Sequence, residues 1–407
     1  MARPLEKLRI LDLTWVLSGP FGMMVLCDLG AEVIKIERPG SGDQSRSIEP
    51  VIDSVSAYFF SLNRGKKSVV IDLTKEKGKE LFLELVKKCD VVAENFTPGT
   101  MDRLGLGYET LRKHNPGLIY AACSGFGQTG PDAQKPALDV VAQGRSGVMS
   151  ITGEEDGPPV RAGVSIGDIS TGMLMALAIL AAVYERMESG QGQMIDVSMV
   201  DSLVALEENA FVRYFATGEV PRKLGTKHPV MSPFQAFATK DGYMTLVATG
   251  PIEQWAMFLD KIDRLDLLSD DRFQEGRMRY KYNKELEPIL SEALKKKTTA
   301  EWIREFESIG VPCGPLNSIP EAASDPQILA RNMFVDLPCP GIKKGSMRVV
   351  NTPIKLSRTA VELEQGAPAL GEHTVEVLST LLGMSLGEIG ELERQEIIET
   401  AKGKSQA

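Results

Sequence analysis

The chain of 407 residues is long enough for two domains of ordinary size, and 43% apolar with 25% charged residues is a globular composition. Its 46 Lys and Arg against 55 Asp and Glu leave a net charge of -9, which works against a nucleic-acid partner over the surface as a whole but permits local basic pockets. No basic-then-apolar leader opens the chain, and the longest apolar run, Gly172 to Tyr184, is about two thirds of a membrane span, so a cytoplasmic protein without a membrane partner is expected.

In chain order the first forty residues read strand, turn, helix, strand: LRILDL, GPFGMMVLCDLG, AEVIKIE. The alternation continues through a strand KSVVIDL, a helix KEKGKELFLELVKKC capped by Thr74, a strand DVVAEN, a helix near YETLRKHNP and a strand GLIYAACS. Strands alternating with helices predict a parallel sheet and hence a doubly wound α/β domain. A long helix starting near Ile169 runs to ESGQG, followed by a strand QMIDVSM and a helical VDSLVALEENAFVRYFA, which completes the first part of a large domain over 1–216. Gly, Pro and turn residues mark 217–240 as a linker. A strand YMTLVAT and the amphipathic helices KELEPILSEALKKK and TAEWIREFESIG then place a smaller α+β domain at 241–335. The last segment, 336–407, ends in two helices, HTVEVLSTLLG and LGEIGELERQEIIETAKG.

The five cysteines, Cys27, Cys89, Cys123, Cys313 and Cys339, are far apart and lack CxxC or Cys/His spacing, so buried reduced thiols and no metal site are expected. GFGQTG at 125–130 satisfies GxGxxG after a strand. It is followed by PDAQKP, where a dinucleotide site needs a helix, and so reads as a glycine turn. There is no GxxxxGK[ST] loop and no GxSxG elbow, and His114, His228 and His373 lie far apart in Pro- or Gly-punctuated segments. By elimination a carboxylate becomes the candidate nucleophile or base. Asp168, among the small residues of AGVSIGDISTGM just before an apolar helix, is open to two roles, a helix cap and a reactive group. Arg38 and Arg103, hemmed by Pro and Gly turns near the carboxyl ends of early strands, suit an anionic ligand, whereas Lys66 and Lys67 read equally well as solvated charge.

Taken together, LDLTWVLSGPFGMMVLCDLGAEVIKIERPGSGD, NRGKKSVVIDL, AENFTPGTMDRLGLGYETL, CSGFGQTGP, GVSIGDISTGM, VPCGPLNSI and APALGEHTVEVLSTLLG resemble the family III CoA-transferases over nearly the whole chain. The resemblance implies a large Rossmann-like domain, a small domain, a C-terminal segment that returns to the large one, and two chains threaded into an interlocked homodimer. It implies transfer of CoA from an acyl-CoA donor to a free carboxylic acid, with no tightly bound cofactor and CoA entering as part of the substrate. Position by position, it makes Asp168 the catalytic carboxylate and brings the backbone of Val16 and Leu17 to the reacting group. It places Arg38, Leu73, Lys75, Asn95, Phe96 and Arg103 around the CoA nucleotide and pantetheine, with Asp139 and Gln143 near the thioester. Gly250 falls in the stretch that replaces the family's glycine run, and its neighbour Pro251 argues against a mobile lid. Pro136 and Leu138 replace aromatic or basic residues of some relatives, which argues against formyl-CoA as donor.

An aspartate is ionised at neutral pH without a base, its ordinary pKa being near 3.9. The N-terminus of the helix beside it is expected to hold that charge against burial. Two rival readings are weighed. An α-methylacyl-CoA racemase would pair the aspartate with a histidine in the preceding segment, where this chain reads KPALDVVAQG. In a CoA-binding protein or a nucleotide oxidoreductase, Asp168 would be structural only.

Overall fold

Short aliphatic and β-branched runs bounded by turns form six parallel strands in the computed structural model, which describes residues 3–359 and 361–401. They are β1 (Arg9–Asp12), β2 (Glu32–Glu37), β3 (Lys67–Ile71), β4 (Val91–Glu94), β5 (Ile119–Ser124) and β6 (Met194–Ser198), in the spatial order 3-2-1-4-5-6. Among the described residues a seventh strand, Ile398–Glu399, pairs antiparallel with β3 at the sheet edge. The order reverses at β1, so the loops leaving β1 and β4 part and open a crevice at their carboxyl ends.

Successive residues of each strand face opposite sides, and both sides are covered. Leu11, Ile34, Val69 and Val92 pack on Leu81, Phe82 and Leu85 of α3 (Glu76–Val86 in the chain), and on Val377 and Leu378 from the C-terminal segment. Ile10, Val33, Val91 and Ala121 pack on the opposite side, on Met23 and Leu26 of α1 (Ser18–Asp28) and on Met175 and Ile179 of α5 (Ile166–Ser189). The chain also forms α2 (Ala57–Leu62), α4 (Asp139–Ser146) and α6 (Met199–Leu206). At 24 residues α5 exceeds the apolar run read from the sequence, and by length and composition alone it is apolar enough to cross a membrane. Here one side of it closes on α1 backbone to backbone: a Cβ on Gly22 would lie 2.5 Å from the Gly172 carbonyl, and one on Gly172 would meet the Ser18 carbonyl.

Contacts divide the chain into two units, the smaller comprising Met149–Val160 and Thr217–Leu329. The expected linker 217–240 belongs to this unit, because β7 (Phe234–Ala238) pairs with β8 (Tyr243–Val247), which also pairs with β9 (Cys313–Pro315). Helices α7 (Ile252–Lys261), α8 (Asn283–Leu294) and α9 (Thr299–Glu307) bury Trp255, Phe258, Leu290, Trp302 and Phe306 against Met244 and Leu246. The smaller unit stops at Leu329 rather than 335, since Phe334–Pro338 is one arm of a hairpin with Ser346–Val350 in the larger unit.

Three local expectations change. The helix carrying Asp168 begins at Ile166, with Ser165 at its N-cap. Thr74 does not cap α3, because its N–H and hydroxyl both turn back to Asp72 Oδ1, at 2.9 and 2.6 Å. The final helix stops at Arg394, after which Glu396 adopts a positive φ of 54° and the chain joins the sheet, while the end of the expected helix beyond Ala401 lies outside the described residues.

Gly172→Ala is expected to destabilise the fold by about 1–3 kcal/mol through overpacking against α1, read as a lower urea midpoint. Gly163→Ala is the control, since a Cβ there meets nothing within 4 Å.

Candidate active site

After β1 the chain turns into α1 through Thr14, Trp15 and Val16, and buried or half-buried side chains grip that turn. Thr14 donates its N–H to Asp12 Oδ1 at 2.9 Å, and its carbonyl accepts Lys35 Nζ at 2.5 Å. Asn95 accepts the Trp15 N–H at 2.8 Å and donates to the Trp15 carbonyl at 2.9 Å. The Val16 N–H goes to Asp43 Oδ1 at 3.1 Å. Val16 itself has φ 64°, the left-handed region that a β-branched residue avoids. From Leu17 the chain enters α1, whose first turn no side chain caps.

Behind this turn lies a set of buried charges. Lys35 pairs with Asp43 and Lys66 with Asp12, each at 2.9 Å. Lys66 also donates to Asn63 Oδ1 and to the Pro20 carbonyl of α1. Burial works against the Asp43 charge, yet Lys35 and the Ser45 donors outweigh it and bring its pKa down to about 2. Lys66 is therefore no solvated charge, and Arg64 is likewise buried, bidentate on Asp28 at 3.0 and 2.6 Å. Lys67 is half-buried between Glu32 and Glu376.

Asp168 is the third residue of α5, not its cap. Asp139 reaches across from α4 instead: its Oδ1 accepts the N–H groups of Gly167 at 2.8 Å and Asp168 at 3.4 Å. Its Oδ2 takes Gln143 Nε2 at 2.6 Å and has Arg161 Nη1 at 3.8 Å, while Gln143 Oε1 holds the Ala162 N–H at 2.9 Å. Among the described residues no hydrogen bond reaches the partly exposed Asp168 carboxylate, and burial, then the nearby Asp139 charge, push its pKa up to about 7. The expected compensation by the helix terminus is absent because Asp139 occupies those N–H groups. Asp168 lies four residues before Gly172 on the same face of α5, and a Cβ on Gly172 would meet the Ser18 carbonyl of α1. Tyr58 of α2 also feels this charge: burial first, then Asp168 and Asp43, raise its phenol to about 12. Cys123, 3.0 Å from Ser18 Oγ, is pushed to about 12, mainly by burial, and is no thiolate nucleophile.

A cavity of about 430 Å³ opens at the carboxyl ends of β1, β2 and β4. Its walls include Arg38 and Phe96 together with Trp15, Lys35, Asp43 and Thr100, none of the last four singled out from the sequence. Trp15 meets Phe96 edge-on, with centroids 5.6 Å apart. The other expected ligand residues are placed differently. The Asn95 side chain is spent on Trp15, and Leu73 packs on the core. Lys75 Nζ sits 2.9 Å from the carbonyls of both Gln395 and Glu396, and Arg103 Nη2 donates to Thr100 Oγ1 at 2.8 Å. Gly250 belongs to the smaller unit, where its carbonyl accepts Arg279 Nη2 at 3.2 Å. Tyr58 carried no motif, but Lys35 stood out in principle as a charge inside the buried strand EVIKIE. Among the described residues no group of three or more His, Cys, Asp or Glu is placed to hold a metal.

The sequence matches the profile of CoA-transferase family III over residues 5–374. The chain belongs to that family. It is 44% identical over 372 residues to the acetyl-CoA:oxalate CoA-transferase of Acetobacter aceti, covering 91% of this chain and 94% of that one. It is 38% identical over 391 residues to the human succinyl-CoA:glutarate CoA-transferase, covering 96% and 89%. Its fold matches the crystal structure of a CAIB/BAIF family protein from Brucella suis with a TM-score of 0.84 at 36% identity, over 94% of this chain and all of the other. The protein is a CoA-transferase, and acyl-CoA and carboxylate substrates fit the family.

If Asp139 supplies the charge that raises Asp168, Asp139→Asn lowers the Asp168 pKa from about 7 toward the ordinary carboxylate range, because a like charge disfavours the anion. Carbon-13 NMR titration of labelled aspartates reads this shift, and an unchanged value refutes the assignment.

Proposed function

We propose that this CoA-transferase works through Asp168 as its nucleophile. The observation that carries the reading is a donor-poor carboxylate on the helix that abuts α1 at Ser18, where the first turn of α1 has no side-chain cap. The Asp168 oxygen attacks the donor thioester carbonyl, the C–S bond breaks, and CoA thiolate leaves with the electron pair, giving a mixed anhydride. The thiolate then attacks the aspartyl carbonyl, releasing the donor acid and leaving a β-aspartyl-CoA thioester. The acceptor carboxylate attacks that thioester, its C–S bond breaks and CoA thiolate leaves again, giving a second mixed anhydride. The thiolate then attacks the acceptor carbonyl of this anhydride, which forms the new acyl-CoA and frees the Asp168 carboxylate. One thioester replaces another, so no ATP is consumed. N–H groups at Leu17, Ser18 and Gly19 are the oxyanion donors in this scheme.

In the same reading the cavity beside Arg38 and Phe96 receives CoA. Leu73, Lys75 and Arg103 serve its nucleotide end, which requires Lys75 to leave its two carbonyls. Asp139 and Gln143 stand at the acyl end, while Gly250 enters only through the family resemblance. The names of the oxalate and glutarate enzymes favour a small dicarboxylic acid as acceptor. One face of α5 leaves Met173, Leu177, Tyr184 and Met187 exposed at 51–81% in the single chain, which supports a second chain against it and the interlocked homodimer. Free thiols at all five cysteines support the cytoplasm as the compartment.

Intact-mass spectrometry after incubation with a panel of CoA thioesters is expected to show a CoA-sized adduct on the wild type and none on Asp168→Ala. Solvent deuterium entering the α-carbon of a bound acyl-CoA, with no adduct, would favour the racemase instead. Because the nucleophile is the anion, adduct formation is expected to fall about tenfold per pH unit below about 7. Burial pushes Glu94, whose Oε2 accepts the Phe96 N–H, to about 7 as well, so the acid limb must persist in Glu94→Gln if Asp168 causes it. Light scattering on the eluting protein is expected to give the mass of a dimer, and a monomer mass rejects the interlocked assembly.

A further inference from the structure

We propose that Lys35 and Asp43 are positioning residues for the transfer: their buried ion pair clamps Val16 in its left-handed conformation and so aims the first turn of α1 at Asp168. This rests on the reading of Asp168 as nucleophile, and it goes beyond that reading by naming what holds the opposing donors in place.

A β-branched residue keeps a positive φ only where its surroundings over-determine it. Here the pair grips the chain on both sides of Trp15. Lys35 Nζ holds the Thr14 carbonyl at 2.5 Å and Asp43 Oδ1 holds the Val16 N–H at 3.1 Å, while Lys35 and Asp43 Oδ2 meet at 2.9 Å. Asp43 is itself aimed by the Ser45 N–H and hydroxyl at 2.8 and 2.7 Å, and its own N–H goes to Glu37 Oε2, which Arg46 holds. Both partners of the clamp are 1% exposed. A buried ion pair is seldom worth more to folding than an apolar pair of similar size, so its presence at this turn is accounted for by the geometry it imposes. The pKa of Asp43, taken down to about 2, keeps the clamp charged across the working pH range. Without it, φ of Val16 is free to relax to negative values, which turns the N–H groups of Leu17 and Ser18 away from the nucleophile.

The test uses the double variant Lys35→Met/Asp43→Ala, which removes both charges and strands neither. It is expected to keep a cooperative thermal transition and to lose about 100-fold in the rate of adduct formation at saturating thioester. Adding Val16→Gly lifts the penalty on the left-handed conformation and is expected to recover about tenfold of that loss. A loss caused by general loosening would not be recovered by a glycine. A double variant at the wild-type rate, or a triple variant no faster than the double, overturns the proposal. If the double variant does not fold, Lys35→Leu/Asp43→Val with and without Val16→Gly, which also removes both charges and the acceptor of the Val16 N–H, gives the same comparison. Steady-state CoA transfer is measured on all of these proteins in parallel. A wild type that transfers CoA without an adduct refutes Asp168 as nucleophile, and the glycine recovery in transfer rate then still decides the clamp.

Discussion

The carboxylate that ends β1 sets the terms for the crevice above it. Asp12 is wholly buried and accepts both Lys66 and the Thr14 N–H, and these lysine charges keep it ionised against its burial. With Lys35 and Asp43 it makes a group of two positive and two negative charges that links β1, β2 and the approach to β3. Removing one member of either pair alone strands a buried charge at a cost of about 3–5 kcal/mol, so each pair stands or goes together. The strand order opens a crevice at this point, and the charge group gives it a rigid floor.

Two carboxylates near the start of α5 show how surroundings divide roles between like groups. Asp139 is ringed by donors from Gly167, Asp168, Gln143 and Arg161, so its charge is shared among them. Asp168 has no such donors and sits beside that charge. Asp168 alone is thereby pushed up to about 7, which sets it apart from an ordinary surface carboxylate. In the proposed transfer the same asymmetry leaves the anion reactive without a histidine, since the carboxylate is largely withdrawn from water and takes no capping hydrogen bond.

Much of the architecture was legible because period-2 and helical patterns are local properties. The parallel strands from LRILDL to GLIYAACS, and the reading of GFGQTG as a turn, follow from residues adjacent in the chain, and Gly127 and Gly130 indeed take positive φ values of 87° and 94°. Partnerships across the chain were not legible. Lys66 can be read as solvated until its partner Asp12 is known, and the cap role of Asp168 stays open until Asp139 arrives from another helix to take the N–H groups. The strand Phe234–Ala238 was hidden among turn residues, with only its pairing to Tyr243–Val247 to define it. Lys75 and Asn95 are placed around CoA by the resemblance, and pattern cannot show that the backbone already occupies their side chains.

What joins these parts is the contact between two helix starts. Among the described residues the first turn of α1 has no side-chain cap, whereas that of α5 has its leading N–H groups taken by Asp139 and carries a second carboxylate, Asp168. In the proposed mechanism the first end receives developing negative charge and the second supplies the attacking oxygen, so their separation must be a few ångströms and constant. Gly22 and Gly172 provide that separation, since a Cβ on either would force the backbones apart. In that mechanism the glycine pair that looks like ordinary helix packing also fixes the distance between the two reacting ends, and the positive φ of Val16 is where the chain turns from β1 into α1.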